Sequence, residues 1–162
     1  MRRIPVPPFD QTTGKCGPTA LRSVLALYGV EATEDQLARA MGWTADEGVP
    51  PGAIVDEAKA CGLAARVETG STLNDLEEWA ERGVPVIVDW DPHDEGVEEG
   101  SHYSVVVRVT DEDVELMDPE KGAFSKVARG KFDELWIRGR AIVVERQSPL
   151  KQWATRKLRH PR

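Results

Sequence analysis

Gln11-Thr12-Thr13-Gly14-Lys15-Cys16-Gly17-Pro18-Thr19-Ala20-Leu21 is the stretch on which the reading of this chain turns. It sets a thiol at the mouth of an apolar helix. Downstream, Ala20, Leu21, Val24, Leu25, Leu27 and Tyr28 recur at helical spacing, and Gly29 supplies a C-terminal cap. Gly17 and Pro18 shape the first turn. The unpaired N–H groups and positive dipole end of a helix N-terminus favour a thiolate, and a neighbouring imidazolium would favour it further. Lys15 adds positive potential. The alternative for any free cysteine is a small buried hydrophobe. Cys61, late in an amphipathic segment just before Gly62, fits that alternative.

Outward from this stretch, Thr33 and Gln36 have the spacing of a capping box for a second helix carrying Leu37, Ala40 and Met41 and stopping at Gly42. The first two helices form a hairpin. Pro50-Pro51 opens a third helix through Ile54, Val55 and Ala58, closed by Gly62, and 63–67 reads as a short strand. Ser71 or Thr72 starts a fourth helix with Leu73, Leu76, Trp79 and Ala80 on one face. From Gly83 the signal changes to β-branched runs at 84–90, 102–109, 114–117 and 141–145, separated by turn chemistry. Helices first and strands second predict an α+β fold, a mainly antiparallel sheet packed on an N-terminal helical half. No internal repeat or low-complexity segment interrupts this order.

A nucleophile needs a base. His160 lies in a basic tail and His93 in the acidic, turn-rich 91–95, so both read as solvated. His102 opens a valine-rich run that must be a core strand, where a scaffold can hold its ring, although a histidine can simply begin a strand. The next strand ends at Asp118-Pro119. A turn over 110–112 would place Asp118 opposite Ser104 and diagonal to His102 on one sheet face, within reach of the imidazole. A carboxylate there fixes the tautomer and stabilises the imidazolium. Asp-Pro is equally an ordinary turn initiator. Gln11 is placed to offer a side-chain amide beside the Cys16 N–H as a second donor to an oxyanion, or to be a solvated turn residue.

The chain has 162 residues, 30% of them charged, and a formal charge of −7. That is one domain's length with enough apolar residues for a single core. Residues 151–162 hold five cations and no acid, so the remainder carries −12. An acidic body argues against a broad nucleic-acid surface, and only the tail could touch an acidic partner. No run approaches a membrane span, and no apolar signal core follows Arg2 and Arg3, so a cytoplasmic location is expected. Two cysteines make a poor disulfide framework. Zinc held by Cys16, His102 and Asp118 lacks any paired-ligand spacing.

Taken together, these residues resemble the bacteriocin-processing, double-glycine leader peptidases, a branch of the papain-like cysteine proteases, in a stand-alone form. The resemblance rests on Gln11, Cys16-Gly17-Pro18-Thr19-Ala20-Leu21, Tyr28-Gly29, the small helix within 34–42, the Gly-x-Pro-Val-Ile-Val strand at 83–88, His102-Tyr103 and Asp118-Pro119. It covers roughly residues 5 to 145, nearly the whole domain. It implies a papain-like fold, a thioester mechanism without metal or organic cofactor, and a peptide or protein substrate. Cys16, His102, Asp118 and Gln11 are then the expected catalytic residues. Gly17, Trp90, Ser101 and Tyr103 are the expected substrate contacts, and Trp90 is placed to shield an ion pair at His102. The peptidase domain is expected over 1–146, with 147–162 as a basic tail. Acyl or peptidyl transfer on the same triad, and a non-catalytic peptide-binding module, are the competing functions. Core packing is expected for Trp79 and Trp136, both taken to lie on helix-like faces.

Overall fold

The computed structural model describes residues 1–92 and 101–148. His93, Trp153, His160, most of the acidic stretch and nearly all of the basic tail lie outside the described residues. The chain runs α1 (Cys16–Leu27), α2 (Glu34–Ala40), α3 (Pro51–Ala60), β1 (Leu63–Glu68), α4 (Leu73–Glu81), β2 (Val86–Trp90), β3 (His102–Val109), β4 (Asp113–Asp118), β5 (Ala123–Ala128), α5 (Arg129–Leu135) and β6 (Trp136–Arg146). Local chemistry explains the boundaries. Thr33 accepts from Gln36 N at 3.1 Å and Gln36 Oε1 accepts from Thr33 N at 3.0 Å, which closes the expected capping box of α2. Thr72 and Asp75 form a second box at α4. Pro51 sits at N1 of α3, where its missing N–H is not needed.

The strands form one six-stranded sheet in the order β1-β6-β2-β3-β4-β5, with every neighbouring pair antiparallel. Against one face pack Leu21, Leu25 and Ile54 of α1 and α3, meeting Ile87, Val105 and Ile142. The opposite face is covered as well. There Leu76 and Trp79 of α4 and Phe132 of α5 meet Val86, Val106, Leu116 and Val143. Helices thus cover both faces of the sheet, α1 and α3 on one and α4 and α5 on the other. Burial on both faces also explains why β2, much of β3 and the 141–144 part of β6 read as nearly unbroken apolar runs rather than alternating ones.

Two elements are absent from the sequence-based expectation. β5 buries only Val127, so it carries no alternation, and α5 buries only Phe132. Trp136 does pack in the core, but as the first residue of β6 rather than on a helix, with its ring 5.6 Å from that of Phe132.

The β3–β4 hairpin positions the site. It begins with Val109 opposite Val114 and Arg108 opposite Glu115, then shifts by one residue so that Val106 faces Leu116 and Val105 faces Met117. Val107 is the extra residue of this bulge, and its carbonyl accepts from Ile4 N at 2.9 Å. Continued by one residue, the shifted register sets Asp118 across from Ser104, as the sequence predicts, with the bulge making up for a longer turn.

Candidate active site

Cys16 is the first residue of α1 and is partly exposed. As the N1 residue its amide has no intrahelical acceptor. α1 packs on β3, whose first residue is His102, and Gly17 permits the close approach. A Cβ built on Gly17 would lie 2.4 Å from Val49 Cγ2 and 3.3 Å from Tyr103 Cδ2, so any larger residue would push the helix mouth away from the strand start. Pro18 follows within the first turn, where it forfeits no helical hydrogen bond.

His102 and Asp118 are buried, at 6% and 3% exposure, with Nε2 of the ring 2.7 Å from Oδ1 of the carboxylate. The other group that acts on the imidazole is the Cys16 thiol. Burial works against a charged His102. The hydrogen bonds to Asp118 and Cys16, with the charges of both, outweigh it and hold the imidazole pKa up at about 9. Such a ring is an imidazolium at neutral pH, the form that a thiolate needs beside it. Asp118 Oδ1 also accepts from Glu120 N at 3.0 Å, and Lys121 N reaches the Asp118 carbonyl at 3.2 Å. Asp118-Pro119 is thus a turn initiator and a partner of His102 at once.

Gln11 is brought to the same corner, its N–H donating to the Pro119 carbonyl at 2.9 Å, one residue past Asp118. Its side-chain Oε1 is buried without a hydrogen-bond partner. Three of the expected substrate contacts, Gly17, Tyr103 and Trp90, are closely packed. Gly17 is wedged between Val49 and Tyr103, and Tyr103 is 6% exposed with its hydroxyl donating to the Val49 carbonyl at 3.0 Å. Trp90 is 2% exposed, donates from Nε1 to Ser104 Oγ at 3.0 Å, and lies 6.2 Å from the His102 ring centre. Its ring thus lies beside that of His102. Ser101, immediately before β3, is exposed.

Two carboxylates at the site escape sequence reasoning. Asp89, opposite Tyr103 in the β2–β3 register, is 2% exposed and pairs with Arg140 Nη1 at 2.7 Å. A lone acid in the otherwise apolar strand Val86–Trp90 was its available signal. Burial, followed by the charges of Asp89 and Cys16, pushes the Tyr103 phenol upward and keeps it a neutral donor. The other is Glu34, which opens α2 and bonds to the loop before Cys16. No group of three or more metal-ligating side chains occurs among the described residues, and no helix among them is long and apolar enough to cross a membrane.

The sequence model of the peptidase C39 family matches residues 9–149. This chain belongs to the peptidase C39 family. Its relatives include an uncharacterized protein of Methanothermobacter thermautotrophicus, 33% identical over 81% of this chain and 82% of that protein. A second, from Methanothermobacter marburgensis, is 31% identical over 85% and 87%. Among solved structures, the peptidase domain of Streptococcus ComA, a bifunctional ABC transporter involved in quorum sensing, superposes with a TM-score of 0.69 at 26% identity, covering 86% of this chain and 97% of that one. A C39-like peptidase from Bacillus anthracis gives 0.73 at 20% identity over 90% and 96%. A double-glycine motif protease from an AMS/PCAT transporter, solved with its leader peptide, gives 0.73 at 21% over 90% and 94%. The C39 chain described here therefore has the α+β fold of the papain-like cysteine peptidases.

Proposed function

We propose that this C39 chain is a cysteine peptidase in which Cys16 is the nucleophile, His102 its proton carrier, Asp118 the orienting carboxylate, and Gln11 with the Cys16 N–H the oxyanion donors. The observation that carries the reading is the buried 2.7 Å His102–Asp118 pair, with the Cys16 thiol the other group acting on the same imidazole. With His102 already protonated, the Cys16 thiolate attacks the scissile carbonyl directly and negative charge collects on the carbonyl oxygen. As the C–N bond breaks, His102 gives its proton to the leaving amine, and an acyl thioester remains on Cys16. Neutral His102 then takes a proton from water, the hydroxide displaces the thiol, and the carboxylic acid leaves. Asp118 keeps Nε2 occupied throughout, so that only Nδ1 faces the reacting atoms. Trp90 keeps water from the ion pair.

A peptide substrate is supported by the family and by the leader peptide bound to the transporter protease. The test is incubation of the purified chain with synthetic peptides that do and do not contain a Gly-Gly pair, with fragments mapped by mass spectrometry. Cleavage by the wild type that disappears in Cys16→Ala is the expected result. Fragments of equal yield from Cys16→Ala would refute the assignment.

A further inference from the structure

The loop from Gln11 to Cys16 is held by the first turn of α2. Glu34 is 9% exposed, and its Oε2 accepts from Thr12 N at 2.9 Å and from the Thr19 hydroxyl at 2.7 Å, while Oε1 accepts from the Thr12 hydroxyl. Thr12 adjoins Gln11, and Thr19 lies in the turn of α1 that Cys16 begins. One carboxylate therefore ties the neighbour of the oxyanion donor to the helix of the nucleophile. Burial works to raise its pKa, but the hydrogen bonds from Thr12 and Thr19 and the Lys15 ammonium 4.0 Å away bring it below the ordinary value. Glu34 is an ionised, acceptor-only group facing three donors.

Gln11 makes this tie matter. Its Oε1 has no partner, so the side chain is not oriented through its own carbonyl oxygen. Its placement comes from the backbone on either side: its own N–H on the Pro119 carbonyl, and the next N–H, that of Thr12, on Glu34. Farther along the loop, Trp43 Nε1 donates to the Gly14 carbonyl at 2.8 Å. Glu34 is the point at which the two halves of the constellation share one atom, Oε2.

We propose that Glu34 is a positioning residue that sets the Gln11 amide against Cys16, and hence the oxyanion geometry, without acting on the thiol itself. This rests on the cysteine-peptidase reading above. The test uses two probes of Cys16 that differ in their need for oxyanion stabilisation. Iodoacetamide is displaced at carbon, with an S–C bond formed and iodide lost, and no oxyanion develops. 4-Nitrophenyl acetate is attacked at its carbonyl, passes through an oxyanion, and loses 4-nitrophenolate as the thioester forms. Glu34→Gln puts an amide among the three donors. It is expected to slow acylation by about 10- to 100-fold, the scale of a small misplacement of a reacting group, while alkylation stays within about twofold of wild type. Gln11→Ala should show the same selective loss. The double variant should be no slower than Gln11→Ala, because the two residues act as a unit.

Losses that multiply in the double variant, or alkylation that falls in step with acylation, would overturn the proposal. If Glu34→Gln does not fold, Thr19→Val removes one donor of the same tie and must show the same selective loss of acylation, or the proposal fails. Wild-type Cys16 that alkylates no faster than Cys61 would instead remove the peptidase reading, and the proposal with it.

Discussion

At His102 two opposing effects meet. Burial favours the neutral ring, and the contacts with Asp118 and Cys16 favour the charged one and prevail, with the pKa at about 9 against an ordinary 6.5. A folded-state pKa above the unfolded value stabilises the fold fully below about pH 6.5 and progressively less as the pH rises through about 9. Thermal denaturation followed from pH 6 to 10 should show that loss. Asp118→Asn should lower the imidazole pKa towards 6.5 and flatten the profile, and the ring-proton NMR titration of His102 reads this directly. Cys16, His102 and Asp118 are legible in the sequence because each stands at a punctuated end of an element. Glu34 is not, since an acid in the first turn of a helix reads as a routine complement to the dipole, and nothing local says that Thr12 and Thr19 will fold onto it. Gly17, Trp90 and Tyr103 flank the site in sequence. Their packing partners, Val49 and Ser104, become neighbours only through the tertiary fold.

Between elements, the decisive junction is α1 against the start of β3. Gly17→Ala would place a methyl group 2.4 Å from Val49 Cγ2, and should cost about 1–3 kcal/mol as measured by denaturant unfolding, the usual range for overpacking. Adding Val49→Ala should recover part of that loss, because the obstructing atom is a side-chain methyl. The helices were legible from capping boxes and from closing glycines such as Gly29 and Gly62. β5 was not, because an edge strand with one buried residue carries no period, and a seven-residue helix with one buried Phe132 gives no stripe to detect. The hairpin register was predicted correctly by a route that the structure replaces, since the bulge at Val107 offsets the longer turn.

At the scale of the whole molecule, the sheet is a partition with a core on each side. The sequence order, helices and then strands, indicates the class but not the faces, because apolar runs such as Val86–Trp90 fit burial on both sides without saying what covers each. Phe132 is the buried anchor of α5 in the second core, and Phe132→Ala should cost about 3–5 kcal/mol by the same unfolding measurement. The first core fixes α1 on β3 and so brings Cys16 towards His102, while the second seats Trp90 beside the His102 ring. The central claim is that this architecture holds a thiolate–imidazolium pair. The direct test is alkylation of the native protein by iodoacetamide from pH 5 to 9, with peptide mapping, for wild type and His102→Ala. The account predicts that Cys16 is alkylated faster than Cys61 and loses that advantage without His102. A Cys16 that reacts no faster than Cys61, or that reacts equally well without His102, would contradict it.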